Sequence, residues 1–153
     1  IMPGQRNRKR SVKQKLNPIE IEFKDKRVLL VDDSIVRGHT SKNIVEMVKK
    51  CGAKKVFLAS ASPPIRHQNI YGIDMPATTE LVGYKRSIDQ IKRYIKADEL
   101  IYQDLKDLKR SASIGNPKIT DFEDSVFTGK YRVGNITKNF LRDLENTRSD
   151  LSK

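Results

Sequence analysis

The order of an apolar strand, an amphipathic helix and a second apolar strand within residues 28–62 is the feature that most constrains the fold. Residues 28–31 read VLLV, a continuously apolar run that is typical of a parallel strand buried on both faces. Residues 54–62, KKVFLASAS, predict the next strand. Between the two strands, apolar residues recur at spacings of three and four. This spacing predicts a helix over 41–51 whose inner face carries Ile44, Val45, Met47, Val48 and Cys51.

Short joints between these three elements predict a right-handed βαβ unit, and hence an α/β fold on a parallel sheet. Thr40 or Ser41 is expected to cap the start of the helix, and Gly52 is expected to end it. The further predicted elements are a half-exposed strand over 19–23, a loop over 63–76, a short helix over 79–84, an amphipathic helix over 87–97 with Ile88, Ile91 and Ile95 inward, a strand over 99–103, a helix over 104–112 and a polar helix or frayed tail over 137–153.

The charge balance and the cysteine count limit the possible partners and compartments. The 153 residues carry 31 Lys and Arg against 19 Asp and Glu, a formal net charge of +12. This balance favours anionic partners: phosphorylated small molecules, nucleic acid or a lipid surface. The single cysteine, Cys51, excludes an internal disulfide and suggests a reducing compartment. No apolar run approaches the roughly 20 residues of a membrane span. Ile1 stands before Met2, which suggests a chain excised from a longer one.

Two adjacent acids end the first predicted strand. Asp32 and Asp33 stand at the carboxyl end of a parallel strand, where ligands of open α/β sheets bind. Neighbouring carboxylates can accept hydrogen bonds from both hydroxyls of a vicinal diol, and they can attract a divalent cation directly or through its water. The pair is therefore either a diol clamp or a solvated turn, which is the commoner role of two acids after a strand.

The residues that follow, SIVRGHTS, predict a phosphate-sized group of donors. Gly38 allows a positive φ, so that successive N–H groups can converge on one point. The helix that begins near Thr40 adds its positive dipole end, and Thr40 and Ser41 add hydroxyl groups. A monophosphate site beside a diol clamp predicts a 5-phosphoribosyl ligand, whereas an ordinary helix start is the alternative interpretation.

The string over residues 28–41 resembles the phosphoribosyl pyrophosphate (PRPP) binding motif of type I phosphoribosyltransferases. More closely, the chain resembles the amidophosphoribosyltransferase family, the glutamine-dependent enzymes that open de novo purine synthesis. The resemblance extends from residue 1 to about residue 131. The stretches that carry it, in chain order, are IMPGQ, KLNP, GAKKVFLASASPPIR, YGIDMP, TEL, LIYQDLKDL and FEDSVFTGKY.

This resemblance implies a type I phosphoribosyltransferase-like parallel sheet flanked by helices and incomplete at its N-terminus. It implies a mobile basic loop over 1–18, the C-terminal part of the phosphoribosyltransferase domain over 19–112, and a C-terminal extension with a helical tail over 113–153. Asp32 and Asp33 are expected to hold the ribose hydroxyls and to help bind Mg²⁺. The expected 5-phosphate loop consists of Ser34, Arg37, Gly38, His39, Thr40 and Ser41, and the expected pyrophosphate lid of Arg6, Arg8, Lys9, Arg10, Lys13 and Lys15.

The implied reaction is displacement of pyrophosphate from C1 of PRPP by ammonia derived from glutamine, which gives 5-phosphoribosylamine. Positioning and charge stabilisation would carry this reaction, with Mg²⁺ offsetting the charge of pyrophosphate. No catalytic residue is assigned within this chain. The family also implies purine nucleotide feedback inhibitors, a homo-oligomer and a cytoplasmic location, with neither nucleic acid nor membrane as a partner.

Two features depart from the family pattern. The family usually has Thr where this chain has His39; a protonated ring there would make binding of a dianion more pH-dependent, and a tolerated surface substitution is the alternative. The family also has an N-terminal glutaminase domain with a catalytic cysteine, which has no counterpart in this sequence. Cys51, on an apolar helix face, is expected to be a core thiol, and His67, in a loop, to have no role. We therefore expect part of a longer enzyme, inactive by itself.

Two other functional classes remain open from the sequence. VLLVDDS also resembles the first strand of a phospho-receiver signalling domain, whose acidic pair binds Mg²⁺, and IDMP is similar to the sequence around its phosphoacceptor. Asp74, however, follows a segment of loop-forming residues, and VRGHTS predicts a phosphate site that a receiver does not need. The basic segment over residues 6–15 is alternatively a nucleic-acid arm, which predicts tight, salt-dependent binding of DNA or RNA.

Overall fold

The computed structural model of the chain describes residues 20–150. None of the helices in this range is both long enough and apolar enough to cross a bilayer. The elements in chain order are α1 (Glu20–Phe23), β1 (Arg27–Asp32), α2 (His39–Lys50), β2 (Lys55–Ser60), a 3-10 turn (Thr78–Glu80), α3 (Ile88–Ile95), β3 (Glu99–Tyr102), α4 (Leu105–Ser113), α5 (Ser125–Thr128) and α6 (Lys138–Asp150).

The three strands form one parallel sheet in the order β1-β2-β3. The last residues of the strands are partners across the sheet: Asp32 lies beside Ser60, and Ser60 lies beside Tyr102. The carboxyl ends of all three strands therefore share one edge. This arrangement confirms the α/β fold and the βαβ unit predicted over residues 28–62.

Helices α2 and α3 pack on the same face of the sheet. Val45 and Val48 of α2 are buried against Val56 of β2. Further along the sheet, Ile91 and Ile95 of α3 are fully buried in a cluster with other core residues, which include Leu58 and Leu100. Complete burial of an aliphatic side chain contributes about 1.5–3 kcal/mol. These contacts hold the helices in place above the sheet.

The opposite face of the sheet is largely bare within residues 20–150. Leu29, Val31 and Ile101 point to that side and are 58%, 71% and 54% exposed. Successive strand residues face opposite sides of a sheet, and α2 and α3 cover only one of them. The apolar run in β1, predicted to be buried on both faces, is therefore partly buried on one face only in the described part of the chain.

The strand predicted over residues 19–23 is wrong, because Glu20–Phe23 form a helical turn closed by a bond from Lys24 N to Glu20 O of 3.0 Å. Alternation over five residues is too short to separate the two structures. A strand would place Ile21 and Phe23 on one side. The helical turn separates them: Phe23 packs on the cluster of Val45, and Ile21 is 75% exposed.

The bounds of α2 differ from the predicted 41–51 by two residues at the start and by one at the end. The helix begins at His39, and Gly38 is its N-cap, so neither Thr40 nor Ser41 caps it. At the other end Gly52 has a φ of +83° and donates to Lys49 O at 3.0 Å, which confirms it as the residue that ends the helix.

Three of the other predicted elements differ from the structure in part. The helix predicted over 79–84 is wrong beyond Glu80, because only the 3-10 turn forms there. The tail predicted over 137–153 includes α6. Within α3, Ile91 and Ile95 are buried as predicted, but Ile88 in its first turn is 44% exposed. A helix of eight residues has room for two buried turns, and its first residue lies beyond the edge of the core.

Candidate functional site

The two adjacent acids lie where the sequence places them, at the carboxyl edge of the sheet. Asp32 is the last residue of β1 and is half-buried, and Asp33 is exposed. The Asp32 Oδ1 atom accepts a hydrogen bond from Asp33 N at 3.0 Å, and Asp33 Oδ1 accepts one from Ser34 Oγ at 3.1 Å. A carboxylate has about four lone-pair positions, so each keeps acceptor capacity for a ligand.

Asp32 belongs to a polar row along this edge of the sheet. Its neighbour Ser60 is only 4% exposed and donates from Oγ to Ser62 O at 3.0 Å. The hydroxyl of Tyr102 is buried and has no hydrogen-bond partner among residues 20–150. Burial raises the pKa of Tyr102 to about 12, because the phenolate form would be poorly solvated there.

The loop between β1 and α2 is fixed to the core at its centre. The Ile35 side chain is 1% exposed and packs in the same cluster as Ile91 and Ile95. The next residue, Val36, accepts a backbone hydrogen bond from Val82 N at 2.8 Å. The acids and the start of α2 are therefore held on either side of one buried anchor.

Gly38 is required by both its backbone and its surroundings. It is buried and has φ +74° and ψ −1°, the left-handed conformation that side chains disfavour. A Cβ at this position would lie 3.1 Å from Tyr94 Cε1 and 3.1 Å from Val82 Cγ2. The structure therefore shows the positive φ that the sequence interpretation assigned to this glycine.

The first turn of α2 has no side-chain cap at Gly38 and contains no acidic residue. No side chain of the turn itself therefore offsets the positive end of the helix dipole. Thr40 is exposed, whereas Ser41 is 4% exposed. His39 is exposed, and its ring lies edge-on to the ring of Tyr94 with centroids 6.2 Å apart.

The Arg37 side chain is engaged by a residue far away in sequence. Its Nε donates to Glu80 Oε2 at 2.7 Å, and the two side chains are 33% and 31% exposed. The sequence interpretation placed Arg37 in a phosphate loop without a protein partner. It missed Glu80, Val82 and Tyr94, which lie more than 40 residues along the chain and carry no local signal of this contact.

Of the remaining residues named in the sequence analysis, some lie within the part of the chain that the structure describes and others lie outside it. The lid residues Arg6, Arg8, Lys9, Arg10, Lys13 and Lys15 lie outside the described residues. Cys51 is half-buried at the end of α2. His67 is half-buried beside Gly129, and burial together with the charge of Arg66 lowers its pKa.

The structure also bears on a metal site and on the receiver alternative. Among residues 20–150, no group of three or more His, Cys, Asp or Glu side chains is arranged to hold a metal ion. Asp32 and Asp33 would therefore need oxygen ligands from a substrate or water. Asp74 is exposed and lies in the connection between β2 and the 3-10 turn, not at the end of a strand as a receiver phosphoacceptor would.

Comparison with known proteins gives close relatives over the full length of the chain. It is 55% identical over 153 residues to the amidophosphoribosyltransferase of Pasteurella multocida strain Pm70, and 54% identical over 153 residues to that of Haemophilus influenzae strain KW20. In both cases the match covers 100% of this chain and 30% of the relative. The chain thus spans about a third of the length of these relatives. No family model matches it.

A solved structure gives the same result. The glutamine PRPP amidotransferase of B. subtilis, complexed with ADP and GMP, is similar with a TM-score of 0.69 and 32% sequence identity. The similarity covers 94% of this chain and 32% of that one. By sequence and by fold, the chain is similar to amidophosphoribosyltransferases along its whole length and corresponds to about a third of such a relative.

Proposed function

We propose that this chain supplies the PRPP-binding part of an enzyme that makes 5-phosphoribosylamine from PRPP and ammonia released from glutamine, the first step of de novo purine synthesis. The observation that carries the proposal is the continuous segment over residues 32–41. It joins two acids at a strand end to a helix start that has no cap and no acid in its first turn. The relatives that match over all 153 residues are amidophosphoribosyltransferases.

In this proposal, the two ends of the segment bind opposite ends of one ligand. The carboxylates of Asp32 and Asp33 accept hydrogen bonds from the two ribose hydroxyls. The backbone after Gly38 and the hydroxyl of Thr40 donate to the 5-phosphate, which also lies at the positive end of α2. A dianion is favoured there because no acidic side chain stands in the first turn. Ser41, which is almost fully buried, contributes mainly through its backbone.

These contacts would promote the reaction by orienting the ribose of PRPP. Departure of pyrophosphate leaves positive charge on the ribose ring, and the fixed hydroxyls and phosphate hold C1 in place for ammonia. The buried anchor Ile35 limits movement of the segment while the charges change. Carboxylates close to the ribose also favour the positive charge that develops on the ring.

Asp32 and Asp33 could bind Mg²⁺ only if oxygen atoms of the substrate or of water completed its coordination. Asp32 and Asp33 offer hard carboxylate oxygens, and Mg²⁺ usually binds to one or two carboxylates together with substrate phosphates and water. When bound, Mg²⁺ supplies charge neutralisation of pyrophosphate.

Substitution of both acids tests the proposal. In the full-length protein, we expect Asp32→Asn with Asp33→Asn to reduce kcat/KM for PRPP by roughly 100-fold or more, since two charge-assisted hydrogen bonds are weakened. The measurement is ammonia-dependent formation of phosphoribosylamine, together with PRPP affinity by calorimetry.

Asp25→Asn is a matched control. Asp25 is exposed, its φ of +63° is one that Asn tolerates, and its contact with Lys54 is 3.9 Å long. The Asp25→Asn substitution removes a carboxylate near the other end of β1 and should leave the kinetics unchanged. Normal kinetics in the Asp32 and Asp33 double variant would show that these acids do not bind the ribose diol, and would contradict the proposal.

Further parts of the proposal concern partners beyond this segment. The basic segment containing residues 6–15 would close over pyrophosphate, purine nucleotides would act as feedback regulators, and the intact protein would be a cytoplasmic homo-oligomer. The B. subtilis relative was solved with ADP and GMP, which supports nucleotide regulation. Binding of DNA or RNA that PRPP does not displace would favour the nucleic-acid arm instead.

A further inference from the structure

We propose that Glu80 is a positioning residue for the candidate phosphate loop: its carboxylate anchors the Arg37 side chain and so holds the backbone around Gly38 in the form that receives a phosphate. The inference rests on the proposed function, because it assigns a role within the same site. Glu80 does not belong to the segment over residues 32–41, and it would act without touching the substrate.

The ion pair that joins the two residues is more enclosed than the pairs on the surface. Arg37 Nε and Glu80 Oε2 are 2.7 Å apart, with both side chains about one-third exposed. In the pair of Lys26 and Glu22, by contrast, the side chains are 55% and 65% exposed. Solvent screens the inner pair less, so it restrains its partners more firmly.

The second oxygen of Glu80 indicates a carboxylate fixed in place. Glu80 Oε1 is buried and has no hydrogen-bond partner among the described residues. A buried acceptor without a partner is costly, so the carboxylate depends on its bond to Arg37. Glu80 is the last residue of the 3-10 turn Thr78–Glu80.

That turn is itself firmly held. Glu80 N donates to Ala77 O at 2.9 Å, and the next residue, Leu81, is completely buried. Val82 then donates its N–H to Val36 O at 2.8 Å and packs its side chain close to Gly38. The same short segment therefore holds the residues on both sides of Arg37, by backbone at Val36 and by packing at Gly38.

The chemistry of arginine explains why the contact can orient the loop. The guanidinium is planar and presents its donors in a fixed fork, so a bond at Nε sets the direction of the whole group. Lysine has a single flexible ammonium and would keep the charge without the direction. The contact therefore depends on the geometry of the arginine side chain as well as on its charge.

The test measures PRPP binding and turnover in the full-length protein carrying Glu80→Gln, a change of nearly equal size. We expect the Kd and KM for PRPP to rise roughly tenfold, the effect of losing one charged hydrogen bond, with kcat changed less than twofold. Arg37→Lys should give a similar rise in KM. Glu99→Gln is the control, because it removes an exposed carboxylate from its pair with Lys92 and should change neither constant.

A double-variant cycle separates positioning from a general loss of stability. If Glu80 acts through Arg37, Arg37→Ala combined with Glu80→Ala should bind PRPP no more weakly than Arg37→Ala alone. Additive losses, or normal PRPP affinity in Glu80→Gln, would overturn the inference while leaving the proposed function intact. Failure of the unsubstituted protein to bind PRPP would instead overturn the proposed function, and this role of Glu80 with it.

Discussion

Helices α2 and α4 begin in the same setting, a short distance beyond the carboxyl end of a parallel strand, but their first turns are completed differently. At α4, the Asp104 carboxylate accepts hydrogen bonds from Lys106 N at 2.8 Å and Asp107 N at 3.1 Å. At α2, the corresponding position is Gly38, which has no side chain to do this. The first turn of α4 is therefore capped by the side chain that precedes it, whereas Gly38 offers no such cap to α2.

Two further helical starts follow the pattern of α4. At α3, Ser87 and Gln90 form a reciprocal capping box. The 3-10 turn is capped by a residue from a distant helix: Glu145 of α6 accepts from Thr78 N at 2.7 Å and from Thr79 N at 3.2 Å. A carboxylate thus occupies there the kind of position that the proposal gives to a phosphate at α2. Of these four starts, the one whose N-cap is a glycine lies in the candidate site.

The largest effect is expected when α2 is made to resemble α4. Gly38→Asp should reduce PRPP affinity by more than 100-fold, because it places a carboxylate where the phosphate would bind, and its Cβ meets Tyr94 and Val82. The left-handed φ should also cost about 1–3 kcal/mol of stability. Calorimetry with PRPP and a urea denaturation curve measure the two effects.

Gly115→Asp is the matched control for that substitution. A Cβ added at Gly115 would have no neighbour within 4 Å, and the residue has no positive φ, so the same added charge should change neither affinity nor stability appreciably. Gly38→Ala separates shape from charge, since it introduces the Cβ without the carboxylate. If Gly38→Asp bound PRPP as tightly as the unsubstituted protein, the open helix start would have no part in binding.

The contrast between these helix starts also shows which structural features could be predicted from the sequence. The βαβ unit, the glycine with positive φ and the position of the acids were predicted because each depends on neighbouring residues. Periodicity fixes the buried face of α2, and a glycine between Arg37 and His39 marks the special backbone conformation. Local rules were sufficient wherever the structure is made by local contacts.

Contacts over long distances in sequence left no such signal. The partner of Arg37 lies 43 residues away, and Glu145 caps a turn 66 and 67 residues away. Nothing near Glu80 or Glu145 in the sequence distinguishes them from solvated acids. The error over 19–23 has a different cause: five alternating residues fit one helical turn as well as a strand, and packing of Phe23 decides between them.

A smaller effect is expected at the satisfied helix start. Asp104→Ala removes the cap of α4 and should lower the free energy of unfolding by about 1 kcal/mol. PRPP affinity should stay within twofold of its original value, because this helix start already has its acceptor. Asp104→Asn keeps a capping oxygen and should restore most of the stability. A large loss of PRPP affinity in Asp104→Ala would mean that the two helix starts are not independent.

The smallest effect concerns the cap that comes from α6, and it depends on pH. Burial, the largest single influence, raises the pKa of Glu145, but the hydrogen bonds from Thr78 and Thr79 outweigh it, so the net pKa lies below its usual value of 4.5. The folded state therefore holds the carboxylate more strongly than the unfolded state does. The resulting stability is fully present above about pH 4.5 and is lost as the pH falls through the lower, folded-state pKa.

Glu145→Gln isolates this contribution, because the amide cannot titrate. Urea denaturation from pH 6 down to pH 3 should show the unsubstituted protein as the more stable at pH 6, with the difference shrinking as Glu145 becomes protonated. Glu22→Gln, in an exposed pair with Lys26, should show no comparable trend. A difference that stayed constant down to pH 3 would mean that the charge of Glu145 contributes nothing to the cap. The carboxylate at the 3-10 turn would then no longer be an analogue of a phosphate at α2.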